Sequence, residues 1–459
     1  MNKLKFYIAM VAGKLTALGL RLLGRNASYL PGLIALKLCG NFIGCLQKPK
    51  TLICVTGTNG KTTTSNLIAS ALTQMGYKVT NNSFGSNVAA GVASALLENS
   101  TFGGRHKNDW AVIEVDERSS LRVYPYMAPD YIICNNIMRD SLKRNANTEF
   151  ISFIINQAIP AETKLVLNAD DIICSDLAPQ CDKRVYFGVD AELPQCPEDG
   201  GAKDVCFCPK CGARLQPEYL RFQHIGRWKC TACDFTSHAR DYCVTEIDRA
   251  DGTFKVAHGN KTDEYTLVND NIVNVFNLCG AVALLSEIGI PTEMIAAAFE
   301  GSALVRTRFE QVDKGNKHVT MILAKGQNPV AVSRVFSYVA KCPGENKCVL
   351  MIIDDKEDNI NNSENTCWLY DLDYTPLKDS SVAQLIFAGK RRYDHVLRAS
   401  MTGLDISKII TTDSVKDCSA LVDVNKYDNI YVLYDNYFLD EARREEKLLL
   451  ERMGTTDEN

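Results

Sequence analysis

The sequence predicts an α/β protein with a mainly parallel sheet covered by helices on both faces, followed by a second, smaller α/β domain. Two observations support this fold class. Apolar, β-branched runs alternate with helix-period segments before residue 190, which is the pattern of strands joined by crossover helices. A second alternating set begins after about residue 310. The five earlier runs span residues 51–57, 111–116, 131–136, 164–170 and 184–189.

The chain is too long for a single hydrophobic core. With 459 residues it is expected to form two to four domains. We predict an N-terminal helical segment over 1–45, a central domain over 46–310 and a C-terminal, partner-binding domain over 311–459. Within the central domain, residues from about 200 to 240 are rich in Cys, Pro, Gly and aromatic residues, which is typical of a small insert.

Composition and charge exclude several classes of protein. The chain is 46% hydrophobic and 23% charged, as in an ordinary globular protein. Its net charge of −4 gives no reason to expect nucleic acid as a partner. Eighteen cysteines in a chain of this length indicate reduced thiols in the cytosol rather than a disulfide scaffold. Most of them lie in apolar runs, where a free cysteine acts as a small hydrophobic residue.

The N-terminus combines apolar residues with Lys3, Lys5, Lys14 and Arg21. Lys14 interrupts the apolar run and no small-residue cleavage site follows, so a signal peptide is disfavoured. No segment has the length of a bilayer span. We predict an amphipathic helix that packs on its own domain. A helix lying on an anionic membrane surface stays open, and with it a peripheral position at the inner face of the cell membrane.

A glycine-rich turn lies between the first strand-like run and a helix-period segment. Gly57 and Gly60 allow backbone N–H groups to turn inward around phosphate oxygens, while Lys61 can reach the terminal phosphates and Thr62 can bind Mg²⁺. The generic P-loop would place its first glycine at Val55, so the match is imperfect. A plain structural turn is the alternative. The predicted phosphate-binding set is Thr58, Asn59, Gly60, Lys61, Thr62 and Thr63.

Two C-x₂-C pairs occur in the insert, with eighteen residues between them. Each pair forms a tight knuckle, so four thiolates can surround Zn²⁺ tetrahedrally. Four protein ligands leave no open position, and the metal is therefore expected to be structural. Cys206 and His238 are nearby competitors, and a redox-active pair is a weaker alternative. The predicted zinc ligands are Cys208, Cys211, Cys230 and Cys233.

The loop sequence G-T-N-G-K-T-T resembles the ATP-binding loop of the Mur ligases and folylpolyglutamate synthases. The resemblance continues in order along the chain. It implies that Glu114 in IEVDE serves Mg²⁺, and that Asn168 and Asp170 in LNADD lie near the nucleotide. It also implies that Asn277 lies beside the adenine and that Arg308 belongs to the Arg-x-Glu ending the central domain. Taken alone, Glu114 can be a strand-end surface carboxylate and Asn277 a helix cap.

The Cys₄ insert narrows the resemblance to the MurT family, the synthetase subunits of lipid II isoglutaminyl synthases. This resemblance covers nearly the whole chain, including NNIMRDSLKR at 135–144, LAKGQNP at 323–329 and AGKRRYDHVLR at 388–398. It implies a carbon–nitrogen ligase of cell wall synthesis that uses ATP and Mg²⁺. ATP would phosphorylate the α-carboxylate of D-glutamate in the lipid II stem peptide, and ammonia would displace phosphate to give D-isoglutamine.

The nitrogen source implied by the resemblance is a GatD-like glutaminase subunit in a heterodimer. The sequence agrees, because a class I glutaminase needs a Cys elbow such as G-x-C-x-G, and this chain lacks one. In the family, an aspartate of the C-terminal domain completes the partner's Cys–His pair. We assign that role to Asp355 in preference to Asp354; a solvated strand-end acid is the alternative.

The chain departs from the MurT pattern after this aspartate. The family's Ala-Asp-Gly piece is absent from residues 354–371, and RTRFE lacks the family's Gly. Two other functions therefore stay open. One is an amino-acid-adding ligase of the Mur or folate type, and the other is a degenerate ATPase that serves as a scaffold in a peptidoglycan complex.

Overall fold

The computed structural model describes residues 3–82, 86–140, 147–190, 204–268, 271–300, 309–324, 326, 328–354 and 366–454. The chain divides into two compact units. The first contains residues 1–138, 147–196 and 203–304, and the second contains 139–146, 197–202 and 305–459. Arg308 and Asp355 lie outside the described residues.

A nine-stranded sheet forms the centre of the first unit. Its order is β11-β10-β9-β6-β5-β4-β1-β3-β2, and the strands from β9 to β2 in this order are parallel. The two strands at the opposite edge are antiparallel. The strands are β1 Thr51–Thr56, β2 Val79–Asn81, β3 Trp110–Glu114, β4 Tyr131–Cys134, β5 Lys164–Asn168, β6 Arg184–Val189, β9 Tyr242–Asp248, β10 Thr253–His258 and β11 Lys261–Thr266.

Helices cover both faces of this sheet. Ile53 and Val55 of β1 face one apolar cluster, while Leu52 and Cys54 face the other, as alternating side chains of a strand must. The central strands of this sheet are therefore continuous apolar runs in the sequence. The helices are α1 Lys3–Leu22, α2 Leu30–Leu38, α3 Phe42–Cys45, α4 Lys61–Gln74, α5 Ala89–Glu98, α6 Ser120–Met127, α7 Thr148–Ala158, α8 Ile172–Ser175, α9 Ile272–Glu287 and α10 Thr292–Glu300.

The insert contains an antiparallel hairpin, β7 Leu215–Phe222 and β8 Ile225–Cys230. Its turn at Gln223 adopts a positive φ of 50°. At the turn end, Phe222 and Ile225 are buried in the same cluster as β1 and α9. At the other end, Leu215 and Trp228 form a small cluster with Cys208 and with Ile172 of α8. The hairpin therefore joins the cysteine pairs to the core of the first unit.

The second unit has a six-stranded sheet of order β12-β13-β17-β14-β15-β16. All neighbouring strands are parallel except β12 and β13. Its strands are β12 Phe309–Lys314, β13 Lys317–Leu323, β14 Lys347–Ile352, β15 Val382–Ala388, β16 Ile409–Thr412 and β17 Asn429–Tyr434. Its helices are α11 Pro329–Lys341, α12 Cys367–Tyr370, α13 Arg392–Met401 and α14 Leu439–Gly454.

The predicted fold class is confirmed, and every strand-like run named in the sequence forms a strand. Five strands were not predicted from the sequence: β2, β7, β8, β11 and β12. β2 has only three residues, and the sequence KTDEYT of β11 is almost wholly polar because the strand lies at an exposed edge. Neither carries the apolar pattern from which strands are predicted. Among the described helices, none is long and apolar enough to cross a membrane.

Candidate nucleotide-binding site

The phosphate loop joins β1 to α4, and its backbone geometry requires glycine at two positions. Gly57 has a φ of +114°, and a Cβ there would lie 2.8 Å from the carbonyl oxygen of Asn136. Gly60 has a φ of +85°, and its Cβ would lie 2.1 Å from Oδ1 of Asn277. The loop then runs directly into the N-terminus of α4 at Lys61. Backbone N–H groups of that first helical turn are available in general for an anion.

Asn136, which follows β4, holds the loop in place. Its carbonyl oxygen accepts from the Thr58 N–H at 2.8 Å, and its Oδ1 accepts from the Asn59 N–H at 3.0 Å. Its Nδ2 donates back to the Asn59 carbonyl at 3.1 Å. The Thr58 hydroxyl also bonds both backbone groups of Met138, at 2.8 and 3.0 Å. The loop is therefore fixed by the end of the neighbouring strand.

Lys61 lies over this loop and is almost buried. Its Nζ donates to the Gly57 carbonyl at 2.5 Å and to Oε1 of Glu117 at 2.8 Å. Burial lowers the pKa of Lys61, but the negative charges of Glu117 and Glu114 outweigh it and raise the pKa overall. Burial raises the pKa of the Glu117 carboxyl, and Lys61 only partly offsets this. The ammonium is therefore charged at neutral pH, next to the loop.

Glu114 ends β3 with its carboxylate beside the first turn of α4. Its Oε2 accepts from the Thr62 hydroxyl at 2.8 Å, and its Oε1 accepts from Nδ2 of Asn87 at 2.8 Å. Asn82 fixes the Glu114 backbone through both of its amide atoms. Glu114 is buried, so the alternative of a surface carboxylate is wrong. A hydroxyl and a carboxylate this close together are the oxygen ligands that Mg²⁺ prefers.

Three asparagines connect the phosphate loop with the ends of β4 and β5 and with helix α9. Nδ2 of Asn135 donates to the Thr64 hydroxyl at 2.8 Å and to Oδ1 of Asn277 at 3.1 Å. Nδ2 of Asn168 donates to the Asn135 carbonyl at 2.8 Å. Asn277 lies inside α9, and the N-cap of that helix is Asn271, so the helix-cap alternative for Asn277 is wrong. All three amides are buried against the phosphate loop and its supports.

The loop after β5 receives the tip of the inserted hairpin. Asp170 pairs with the Arg240 guanidinium at 2.7 Å and accepts from the Val189 N–H at 2.9 Å. Burial raises the pKa of Asp170 even though Arg240 lowers it. Asp171 caps α8 and accepts from the Ile137 N–H at 2.7 Å. Nε2 of His224 lies 3.2 Å from Oδ1 of Asp171.

The four predicted zinc ligands converge at the other end of the hairpin. Their Sγ atoms all lie within 4.8 Å of one another. Cys208 and Cys233 are 3.7 Å apart, and Cys211 and Cys230 are 3.5 Å apart. A tetrahedron with Zn–S bonds of about 2.3 Å has sulfur atoms about 3.8 Å apart, so the residues fit a zinc ion. Gly212, with a φ of +74°, completes the first knuckle.

The nearby competitors do not join this cluster. His238 pairs through Nε2 with Oδ1 of Asp176 at 3.0 Å and stacks on Tyr186 at 4.6 Å between ring centroids. Cys206 uses its carbonyl to accept from the Leu215 N–H at 3.0 Å and is outside the group of converging sulfurs. The symmetric set of four is therefore the metal candidate among the described residues.

In the second unit, Asp354 follows β14 and is buried. Its two carboxylate oxygens accept from the backbone N–H groups of Lys390 and Arg391, at 2.7 and 3.0 Å. It therefore fixes the turn that begins α13.

A second group of polar contacts in this unit involves the segment that follows β4. Asn328 caps α11 and donates to Oδ1 of Asp140 at 2.6 Å, while Arg139 lies 3.6 Å from Asp371. The segments NNIMRD, QNP and CWLYD thus contribute residues to one cluster.

Several residues of the first site were not predicted as ligands or supports. Asn136 and Glu117 hold the phosphate loop and its lysine, while Arg240 and His224 brace the Asp170–Asp171 loop. The signal for Asn136 was present in the sequence, because NN follows a strand-like run. Glu117 falls in the IEVDE segment, where only the first carboxylate was chosen. Arg240 and His224 lie in the insert and gave no signal of their own.

Comparison with protein families matches both units. Residues 55–195 match the Mur ligase middle domain, and residues 325–437 match the MurT ligase C-terminal domain. The middle part of the chain is therefore similar to the middle domain of the Mur ligases. Its C-terminal part matches the C-terminal domain of MurT ligases.

Two relatives are similar to this chain over nearly its full length. It is 29% identical over 433 residues to the "Lipid II isoglutaminyl synthase (glutamine-hydrolyzing) subunit MurT" of Staphylococcus aureus strain COL, covering 94% of this chain and 95% of that one. It is 26% identical over 435 residues to the subunit of the same name from Streptococcus pneumoniae, with 94% of each chain covered.

Solved structures agree on the fold. The pseudomurein peptide ligase type C of Methanothermus fervidus superimposes with a TM-score of 0.65 at 20% identity, covering 90% of this chain and 80% of that one. A MurF structure from Acinetobacter baumannii gives 0.61 at 16% identity, covering 91% and 80%. The Thermotoga maritima MurF ligase, solved in complex with ADP, gives 0.57 at 15% identity, covering 92% and 84%.

Proposed function

We propose that this chain is the synthetase subunit of a lipid II isoglutaminyl synthase. It would amidate the α-carboxylate of D-glutamate in the lipid II stem peptide, using ATP and ammonia from a separate glutaminase. The observation that carries this proposal is the 94% coverage shared with two subunits of that name. The phosphate loop, with its buried lysine and adjacent glutamate, supplies the ATP chemistry that such an activity needs.

The phosphate loop would hold the triphosphate of ATP. The N-terminus of α4, at Gly60 to Thr63, directs its N–H groups and positive dipole end at an anion. Lys61 lies within the loop and stays protonated, so its ammonium neutralises charge on the phosphoryl group as it transfers. Because Asn136 already binds the N–H groups of Thr58 and Asn59, those two residues shape the loop.

Thr62 and Glu114 would hold the Mg²⁺ that accompanies ATP in Mur ligases. The metal supplies charge neutralisation for the phosphoryl group when bound. Asn87 binds the carboxylate oxygen of Glu114 that Thr62 does not bind, and Asn82 fixes the Glu114 backbone. Asn277, Asn168 and Asp170 would lie around the nucleotide, and Asn277 contacts the loop at Gly60. Arg308 lies outside the described residues, and we propose that it belongs to the Arg-x-Glu that ends the central domain.

The reaction divides into two transfers. A carboxylate oxygen of D-glutamate attacks the γ-phosphorus of ATP, the bond to ADP breaks, and an acyl phosphate forms. The lone pair of ammonia then attacks the carbonyl carbon, phosphate leaves, and a proton is lost to give the amide. The second transfer must occur away from bulk water, because water competes with ammonia for the acyl phosphate.

A separate glutaminase would supply the ammonia. We propose a GatD-like subunit as the partner, and Asp355 as the carboxylate that orients the partner's histidine. Asp354 is a poorer candidate because both of its oxygens already accept backbone N–H groups. We also propose that the chain works in the cytoplasm, where ATP and glutamine are available, at the inner face of the membrane that holds lipid II.

The four cysteines would hold one structural Zn²⁺. Such an ion would fix the end of the hairpin that carries the cysteines, opposite the tip that contacts Asp171. Metal analysis of the purified chain should give about one zinc per chain, and Cys208→Ser should lower that content. A zinc-free chain that binds ATP and melts like the zinc-loaded chain would contradict a structural role.

The decisive experiment combines the purified chain with a GatD-like glutaminase, lipid II, ATP and glutamine. Mass spectrometry of the stem peptide should show amidation, and Lys61→Ala should abolish it, while Lys50→Ala, an exposed lysine, should not. Failure to transfer nitrogen from both glutamine and free ammonia would contradict the proposal. Addition of an amino acid in place of ammonia would favour the amino-acid-adding alternative. Full activity of Lys61→Ala would remove the ATP-site assignment.

A further inference from the structure

Helix α1 has two apolar faces. One face packs on α2 and α5 and is buried at Phe6, Ala9, Met10, Gly13 and Ala17. The contact is close, since a Cβ at Gly13 would lie 2.3 Å from a Leu97 methyl carbon. This face satisfies the prediction that the helix packs on its own domain. It does not account for the other half of the helix.

The opposite face carries six exposed aliphatic residues in one stripe. Their spacing along the chain is 4, 3, 4, 3 and 4, which keeps them on a single side of an α-helix. Each is 44% to 80% exposed, and the stripe runs for about 27 Å at about 1.5 Å per residue. Its members are Leu4, Ile8, Val11, Leu15, Leu18 and Leu22.

Lys14, which interrupts the apolar sequence, is used within the first unit. Its Nζ donates to the carbonyl oxygens of Leu97 and Ser100, at 2.9 and 2.7 Å, at the C-terminal end of α5. Burial lowers its pKa. Arg21 likewise pairs with Glu98 at 2.8 Å. Lys14 therefore lies toward the packed side, Arg21 is held against Glu98 of α5, and the apolar stripe is continuous.

The charged residues of the N-terminal segment itself are all basic. Residues 1–45 contain six Lys and Arg residues and no Asp or Glu, although the whole chain has a net charge of −4. Lys3 and Lys5 lie in the first turn of α1, Arg21 lies in its last turn, and Arg25 follows three residues after its end. An apolar stripe with basic residues at both ends complements a surface of acyl chains and anionic headgroups.

A second copy of the chain fits this surface less well. Pairing two α1 helices along their stripes, in either direction, brings basic ends together without any acidic residue in 1–45 to balance them. Like charges brought together oppose association. A lipid surface removes this conflict, because its headgroups carry the opposite charge.

We propose that α1 docks the chain on an anionic lipid surface, with the Leu4–Leu22 stripe sunk among the headgroups and upper acyl chains. The helix would lie flat, since it is not long and apolar enough to cross a membrane. The proposal stands on the helix alone and goes beyond the proposed reaction. If that reaction also holds, docking brings the enzyme to the surface that contains its lipid substrate.

The test is co-sedimentation of the full-length chain with vesicles of phosphatidylcholine alone or with added phosphatidylglycerol, in the absence of lipid II and ATP. The chain should sediment with the anionic vesicles and be released by salt. Leu15→Ser combined with Leu18→Ser should weaken binding by at least about tenfold, because two leucines that would be buried in the lipid are lost. The matched control, Leu397→Ser with Met401→Ser, alters two exposed apolar residues of α13 and should bind like the unmodified chain.

Lys3→Glu combined with Lys5→Glu tests the charge and does not depend on how the leucine variant folds. It should weaken binding to anionic vesicles and leave weak binding to phosphatidylcholine unchanged. Absence of sedimentation by the unmodified chain, or full binding by the leucine variant, would overturn the proposal. Conversion of a dimer into a monomer by the leucine variant would instead assign the stripe to self-association. Amidation of detergent-solubilised lipid II tests the reaction separately, because it does not need docking.

Discussion

Two buried carboxylates at strand ends, Glu114 in the last position of β3 and Asp354 just after β14, differ in the groups that they bind. Glu114 accepts hydrogen bonds from the side chains of Thr62 and Asn87. Asp354 accepts from two backbone N–H groups in the turn before α13. Side chains can rotate to admit a metal ion, whereas backbone groups in a turn cannot move without changing the fold. The kind of hydrogen-bond donor, side chain or backbone, therefore distinguishes a carboxylate that can take a metal ion from one that maintains structure.

The largest expected effect tests whether the Glu114 carboxylate binds a metal ion. Glu114→Gln keeps the size of the side chain and removes its charge, so Mg²⁺ binding and ATP-dependent turnover should fall by about 10²–10³-fold. Phosphate release in the reconstituted pair measures this loss. Glu162→Gln, at a highly exposed surface position, is the control. Near-normal turnover of Glu114→Gln would mean that its carboxylate, like that of Asp354, is structural.

The next effect concerns the neighbour of Asp354. Asp355→Asn should reduce amidation from glutamine by at least about 100-fold, as expected when a histidine loses its orienting carboxylate. Amidation from added ammonia should stay within about twofold, because the ATP site is unchanged. The ratio of the two rates is the measurement. An equal loss with both nitrogen sources would remove Asp355 from the glutaminase.

A third effect tests the structural role of Asp354 itself. Asp354→Ala would leave the Lys390 and Arg391 N–H groups without their acceptor, at a cost of about 2–4 kcal/mol. Denaturant unfolding of the full chain should show this loss, and the control Asp413→Ala, at an exposed position, should not. A stable Asp354→Ala chain with defective use of glutamine would transfer the catalytic role from Asp355 to Asp354.

The smallest effect concerns His224, which braces the loop of Asp170 and Asp171. Burial lowers the pKa of His224, but the charge and hydrogen bond of Asp171 outweigh it and raise the pKa above 6.5. The stabilisation is therefore fully present below about pH 6.5 and lost as pH rises through the raised pKa. His224→Gln should flatten this fall in unfolding free energy, by about 1–2 kcal/mol at most. Equal pH profiles for the two chains would show that the pair contributes nothing.

The sequence predicted the parts of the site that are local in the chain. The two glycines, Lys61 and Thr62 lie within six residues and follow a strand, so their spacing alone indicates the chemistry. The four cysteines were equally readable, because two short knuckles carry the pattern. Strand existence followed from apolar runs, since a parallel sheet is buried on both faces.

The supports of the site could not be predicted in the same way. Asn136 lies 77 residues from Asn59, Glu117 lies 56 from Lys61, and Arg240 lies 70 from Asp170. Each pair depends on which strands become neighbours and on where the inserted hairpin ends. Those are properties of packing, and no spacing in the sequence expresses them.

The hydrogen bond between Asn135 and Asn277 spans 142 residues of chain. Proteins are synthesised from the N-terminus, and the phosphate loop leaves the ribosome long before α9 does. The loop can fold early with β1 and β4, but Asn135 lacks its Asn277 partner until residue 277 has emerged. The hydrogen-bond network around the phosphate loop is therefore completed late in the biogenesis of this protein, and we expect a chain truncated before α9 to bind ATP more weakly than the full chain.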